Sequence, residues 1–183
     1  MSEPGSVLVV DDEENVAVTL QAVLQREGYT VLTANSVPAA QDLVTRHQFD
    51  AALVDLRFRD TESGLDVLEA LNQHQPACMA IMLTGFASLD SAIGAIKMGA
   101  YDYLIKPCDM EELKLTVARA VEHGTIARVL QGHIGDIEAS NKDLRALAED
   151  LRNRLEETLS SLRERISSPA EQPPGQQEPR RKP

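Results

Sequence analysis

The stretch SVLVVDDEEN (residues 6–15) runs an apolar segment directly into four acids. Two other apolar runs end on groups with chemistry of their own: AALVD stops at Asp55 and MAIMLT at Thr84, and Lys106 directly follows DYLI. If these ends met, Asp11, Asp12 and Asp55 would repel one another and push a carboxyl pKa upward unless a hard divalent cation neutralised them. Mg2+ suits such a cluster, because it takes a few carboxylate oxygens and keeps waters and phosphate oxygens as its other ligands. A carboxylate beside that ion can attack a phosphoryl group and become an aspartyl phosphate. Thr84 would then hydrogen-bond one phosphoryl oxygen and Lys106 would neutralise another. Singly, each residue has an ordinary explanation: an acidic pair after a strand is a turn or a helix start, and a lone lysine is solvated. The coincidence of all four ends carries the chemical reading.

Such ends meet only if the runs are neighbouring strands. Short apolar runs at Ser6–Val10, Thr30–Ala34, Ala51–Asp55, Met79–Thr84 and Asp102–Ile105 read as strands. Amphipathic stretches at Glu14–Glu27, Val37–His47, Leu65–Gln73, Leu89–Met98 and Met110–His123 read as the helices between and after them. Ser36, Ser88 and Asp109 stand at cap positions, and Gly28 and Gly99 follow helix ends. Five strand–helix units in succession predict an α/β fold, a doubly wound parallel sheet with helices on both faces. Ligands of such sheets sit outside the carboxyl ends of the strands, where the five candidate residues fall.

Composition agrees. Only 3% of residues are aromatic and there is no Trp, so aliphatics must pack the core. Residues 1–124 carry 8 Lys and Arg against 19 Asp and Glu, which accounts for the whole net charge of −11. That acidic excess disfavours a nucleic-acid groove, which relies on Lys and Arg, and suits cations or basic partners. MSEPGS lacks the basic and apolar regions of a signal peptide, no window approaches a membrane span, and Cys78 and Cys108 have no metal-type spacing. A cytoplasmic protein is expected.

Beyond His123 the pattern changes. From Arg128 to Arg165 a heptad register places Leu130, Ile137, Leu144, Leu151 and Thr158 at a, and Ile134, Asn141, Ala148, Leu155 and Leu162 at d; eight of these ten are apolar. This predicts a coiled coil or a helical hairpin in preference to a lone amphipathic helix, with a homodimer through residues 128–165 as one outcome. Gly124, Gly132 and Gly135 weaken its start by about 1 kcal/mol each relative to Ala, so a hinge is expected there. Asn141 is a candidate for setting register. The organisation expected is a domain over 5–123, a helical output or dimerisation segment over 124–166 and a disordered Pro-rich tail over 167–183. His123 and His133 read as solvated helix positions.

The residues now placed resemble a known family. VLVVDDEEN, AALVDLRF, IMLTGF and above all KMGAYDYLIKPCDMEEL make residues 6–123 similar to a response-regulator receiver domain with the flavodoxin-like (βα)5 fold. The resemblance implies that Asp55 accepts a phosphoryl group from a histidine kinase. It implies that Asp11, Asp12, Asp55 and the backbone carbonyl of Arg57 bind Mg2+. Lys106 and Thr84 match the family's phosphate-sensing pair, and Tyr103 matches the aromatic that turns inward with the switch; by residue type alone Tyr101 is an equal candidate. One departure stands out. After Asp55 the chain reads DLRFRDTESG, with Arg59 where the family has Pro and Gly64 nine residues on rather than eight, so the loop is one residue longer.

The function expected is a two-component response regulator that signals through protein contacts or coiled-coil rearrangement to an unknown downstream protein. It would be no enzyme beyond phosphorylation and dephosphorylation of its own Asp55. Two alternatives remain open: an adaptor whose receiver is degenerate and whose coiled coil does the work, and a haloacid-dehalogenase-like phosphohydrolase. The latter family wants Asp-x-Asp, and the residue two after Asp11 is Glu13.

Overall fold

The computed structural model describes residues 4–58, 63–85 and 89–167, with side chains except at 89–92 and 161–167. Arg59, Asp60 and Glu62 of the lengthened loop, the expected cap Ser88 and the tail from 168 onward lie outside the described residues. The chain divides into two compact units, Met1–Ile134 and Gly135–Pro183.

The first unit holds β1 (Ser6–Val10), α1 (Glu14–Arg26), β2 (Thr30–Ala34), α2 (Val37–Arg46), β3 (Ala51–Asp55), α3 (Gly64–His74), β4 (Met79–Thr84), α4 (Leu89–Lys97) and β5 (Asp102–Ile105). Helix α5 begins at Met110 and continues to Ser167. All five strands are parallel, in the order β2-β1-β3-β4-β5. The order places β2 on one side of β1 and β3 on the other, which opens a crevice between the carboxyl ends of β1 and β3. Each strand has the limits that its apolar run predicts.

Alternation within the strands divides the core in two. Val7, Val9, Ala51, Leu53, Ile81 and Leu83 pack against α1 and against Leu113, Val117, Ala120 and Val121 of α5. Leu8, Val10, Ala52, Val54, Ala80 and Met82 pack against Val37, Ala40 and Val44 of α2, Val67, Leu68 and Leu71 of α3, and Ala95 of α4. Burial on both faces is why the runs are continuously apolar rather than alternating.

Caps fix where helices begin. The Ser36 hydroxyl accepts from Ala39 N at 3.4 Å, and Asp109 Oδ1 accepts from Glu111 N and Glu112 N at 2.8 and 3.2 Å. Helix α3 starts one residue before the expected Leu65, because Ser63 and Asp66 form a capping box.

The amino ends of the strands carry a polar knot. Asp50 is 2% exposed; its Oδ2 accepts from Ser6 N at 2.9 Å and its carbonyl from Met79 N at 3.0 Å, which ties β1, β3 and β4 together. Asp50 Oδ1 has no hydrogen bond, and Arg128 Nη2 of α5 stands 3.0 Å from it as a charge contact. One helical turn earlier, the backbone of Gly124 passes so close that a Cβ there would lie 2.0 Å from the Asp50 carbonyl oxygen. Helix α5 runs through Gly124, Gly132 and Gly135, where the sequence suggests a hinge. Gly124 is present for close approach.

Candidate functional site

β1 delivers Asp11 and Asp12, β3 delivers Asp55, and one carboxylate oxygen from each lies within 4.8 Å of the other two. Asp11 is fully buried, Asp12 half-buried and Asp55 buried. The first two turns of backbone hold the acids in place. Asp11 Oδ1 accepts from Glu13 N at 2.9 Å, and Asp55 Oδ1 accepts from Arg57 N at 3.3 Å. The remaining oxygens turn toward β5, where Lys106 Nζ lies 2.6 Å from Asp11 Oδ2 and 2.9 Å from Asp55 Oδ2. Burial works to lower the Lys106 pKa, but the hydrogen bonds and charges of Asp11 and Asp55 outweigh it, and the ammonium titrates above its ordinary range.

Thr84 is fully buried at the end of β4 and pairs in register with Ile105; its carbonyl accepts from Lys106 N at 2.6 Å. Tyr103 pairs with Met82, so by strand alternation it shares a sheet face with Thr84, and it packs on the α2–α3–α4 side of the core. Tyr101 belongs to the other side, edge-on to His123 with ring centroids 5.4 Å apart. The structure therefore separates two tyrosines that residue type left equal. Asp11, Asp12, Asp55, Thr84 and Lys106 all come together at one end of the sheet, with Arg57 directly beyond Asp55.

The described ends of the lengthened loop are held together. Arg57 and Ser63 form a bridge across its neck, and Gly64 N donates to Leu56 O at 3.1 Å. A Cβ at Gly64 would come 2.0 Å from the Asp55 carbonyl oxygen, so only glycine lets α3 start against the end of β3. In the sequence, a glycine opening a helix after a strand is the signal for such a close approach.

An apolar cavity of about 400 Å³ opens beside Lys106, lined by Val16 and Leu20 of α1 and by Pro107, Cys108, Met110 and Leu113. Among the described residues, no helix is long and apolar enough to cross a membrane.

These features define an α/β domain of the flavodoxin-like class with an acidic crevice at its topological switch point. Residues 7–118 match the model of the response regulator receiver domain, and the chain belongs to that family. It is 38% identical over 133 residues to the alginate biosynthesis transcriptional regulatory protein AlgB of Pseudomonas putida, a match covering 73% of this chain and 30% of that protein. It is 37% identical over 121 residues to the transcriptional regulatory protein ZraR of Klebsiella oxytoca, covering 66% of this chain and 27% of the relative. The match thus spans under a third of these relatives' length. A Burkholderia pseudomallei response regulator, solved with a phosphorylated aspartic acid, calcium ion and citrate, superposes with a TM-score of 0.60 at 31% identity, covering 75% of this chain and 86% of that one.

Proposed function

We propose that this chain is a two-component response regulator in which Asp55 takes a phosphoryl group from a histidine kinase and α5 transmits the result by protein contact. The observation that carries this reading is the crevice itself: three carboxylates with oxygens within 4.8 Å, two of them shared by one lysine. In the transfer, an Asp55 carboxylate oxygen attacks the phosphorus of a phosphohistidine. The P–O bond forms as the P–N bond breaks, and the histidine, already protonated on its other ring nitrogen, leaves as neutral imidazole. Lys106, released from Asp55, neutralises a phosphoryl oxygen, and the Thr84 hydroxyl donates to another. Tyr103 follows Thr84 on the same sheet face and carries the change to the surface of β4 and β5.

The donor set fits Mg2+: three hard carboxylates with oxygens within 4.8 Å of one another, to which the Arg57 carbonyl would add a fourth protein oxygen. Bound there, the ion would offset the charge of the acids and of the phosphoryl oxygens. The Burkholderia neighbour, with its phosphorylated aspartic acid and calcium ion, supports this chemistry by analogy. AlgB and ZraR are transcriptional regulators by name, but the acidic excess of residues 1–124 favours protein partners over nucleic acid here. Family membership weighs against the phosphohydrolase alternative, and a cytoplasmic site of action follows from partnership with a kinase.

Incubation with a small phosphodonor and Mg2+ tests the reading. The wild-type chain is expected to gain a hydroxylamine-labile phosphate that Asp55→Asn does not. If the wild type gains none, the phosphoacceptor assignment fails and the adaptor reading takes its place.

A further inference from the structure

Among the described residues, the apolar stripe on α5 is exposed. Leu130, Ile134, Ile137, Leu144, Leu151 and Leu155 are each more than half exposed. Among the described residues α5 is one helix to Ser167, and none of them forms a second helix after it. The stripe also begins away from the side of α5 that packs on the sheet. Gly124 and Arg128 face Asp50, whereas Ile126 and Leu130 lie about 200° and 240° round the helix from Gly124.

The spacing along the stripe settles its lettering. The step from Leu130 to Ile134 is four residues and that from Ile134 to Ile137 three, so Ile134, Asn141, Ala148 and Leu155 occupy a, and Leu130, Ile137, Leu144 and Leu151 occupy d. This reverses the letters given above, and it moves Asn141 to an a position. A single Asn at a fixes register and oligomer state in parallel coils, where the two copies of the amide meet across the seam and each can donate to the other.

We infer that the occupant of the stripe is a second copy of this chain, parallel and in register, with Asn141 paired across the seam. This deepens the reading of α5 as the output element and rests on it. Charge favours the same occupant: residues 125–183 carry 10 acidic and 10 basic side chains, so two copies meet without net repulsion there, unlike two acidic receivers. The 33 residues from Leu130 to Leu162 extend ~50 Å at a width of about 10 Å, roughly 1,000 Å² over both helices, the lower bound for a specific interface. A modest area and one buried polar pair describe a dimer that assembles reversibly.

The test uses the full chain with Cys78→Ala and Cys108→Ser, carrying Leu130→Cys or Leu155→Cys singly, under mild oxidation. Each single-cysteine variant is expected to crosslink to itself, and sedimentation equilibrium of the unoxidised protein to give twice the chain mass. Asn141→Leu is expected to lower the dissociation constant at least tenfold or to admit larger oligomers. A monomeric mass overturns the inference. So does a dimer that crosslinks only when the two cysteine variants are mixed, which is the antiparallel result. Phosphate uptake at Asp55, measured on the same preparations, separates the outcomes: a monomer that still takes phosphate sinks the seam and leaves the receiver reading standing.

Discussion

Lys106 holds two carboxylates at once, Asp11 at 2.6 Å and Asp55 at 2.9 Å, and so occupies the position a cation would compete for. Replacing it by Met leaves three clustered acids without their ammonium. In metal-free buffer Lys106→Met is expected to unfold at lower urea, by on the order of 2 kcal/mol, because Asp11 is buried and loses its charged partner. The same variant is expected to bind Mg2+ several-fold tighter than wild type, since the ion no longer displaces a lysine. Urea titrations with and without Mg2+ read both effects; equal Mg2+ affinity in the two proteins would show that Lys106 and the metal do not compete. Gly64 makes a second residue-scale case. Its missing Cβ clears the Asp55 carbonyl, so Gly64→Ala should disturb the Asp55 loop and lower the rate of phosphate uptake, although Ala is the better helix former.

At the scale of elements, α5 is fastened to the sheet at a place remote from the crevice. Helix propensity alone predicts that Gly124→Ala stabilises the protein by ~1 kcal/mol. The structure predicts the opposite sign, because the new methyl would overlap the Asp50 carbonyl and lift the helix, at a cost of about 1–3 kcal/mol. Thermal or urea unfolding decides between the two signs. Arg128→Ala leaves the buried Asp50 Oδ1 with no countercharge and should destabilise as well; in Asp50→Asn the same substitution should matter much less, and the double-mutant cycle measures that coupling. Truncation at Gly124 removes Arg128 and is therefore no clean way to isolate the receiver.

For the whole molecule, the buried Cys78 and the half-buried Lys106 lower stability at alkaline pH. Burial, with the nearby charge of Asp50 as a smaller contribution, pushes the Cys78 thiol up from 9.0 to about 12. The folded state then holds a proton that the unfolded chain gives up above pH 9, so stability is full below that pH and falls as pH rises toward 12. Lys106, whose pKa is also raised in the fold, adds to the decline above its ordinary value of 10.5. Cys78→Ala is expected to flatten the profile from pH 9 upward while leaving the neutral-pH transition cooperative; an unchanged slope would assign the loss to other groups.

The limits of all five strands, the two-faced core and the convergence of Asp11, Asp12, Asp55, Thr84 and Lys106 were legible from the chain. Burial on both faces writes a parallel strand as an unbroken apolar run, and a residue that ends such a run has one direction in which to point. The heptad stripe was legible for the same reason, since period is a local property. Tertiary structure decided what depends on two distant segments meeting. It distinguished Tyr103 from Tyr101 by the register of β5 on β4, and it gave Gly64 and Gly124 their purpose through carbonyls many residues away. It also paired Asp50 with Arg128, two charges that composition treats as ordinary surface. Periodicity and strand ends are written in neighbouring residues, whereas close approach and the pairing of a buried charge exist only once the backbone has brought two separate stretches together.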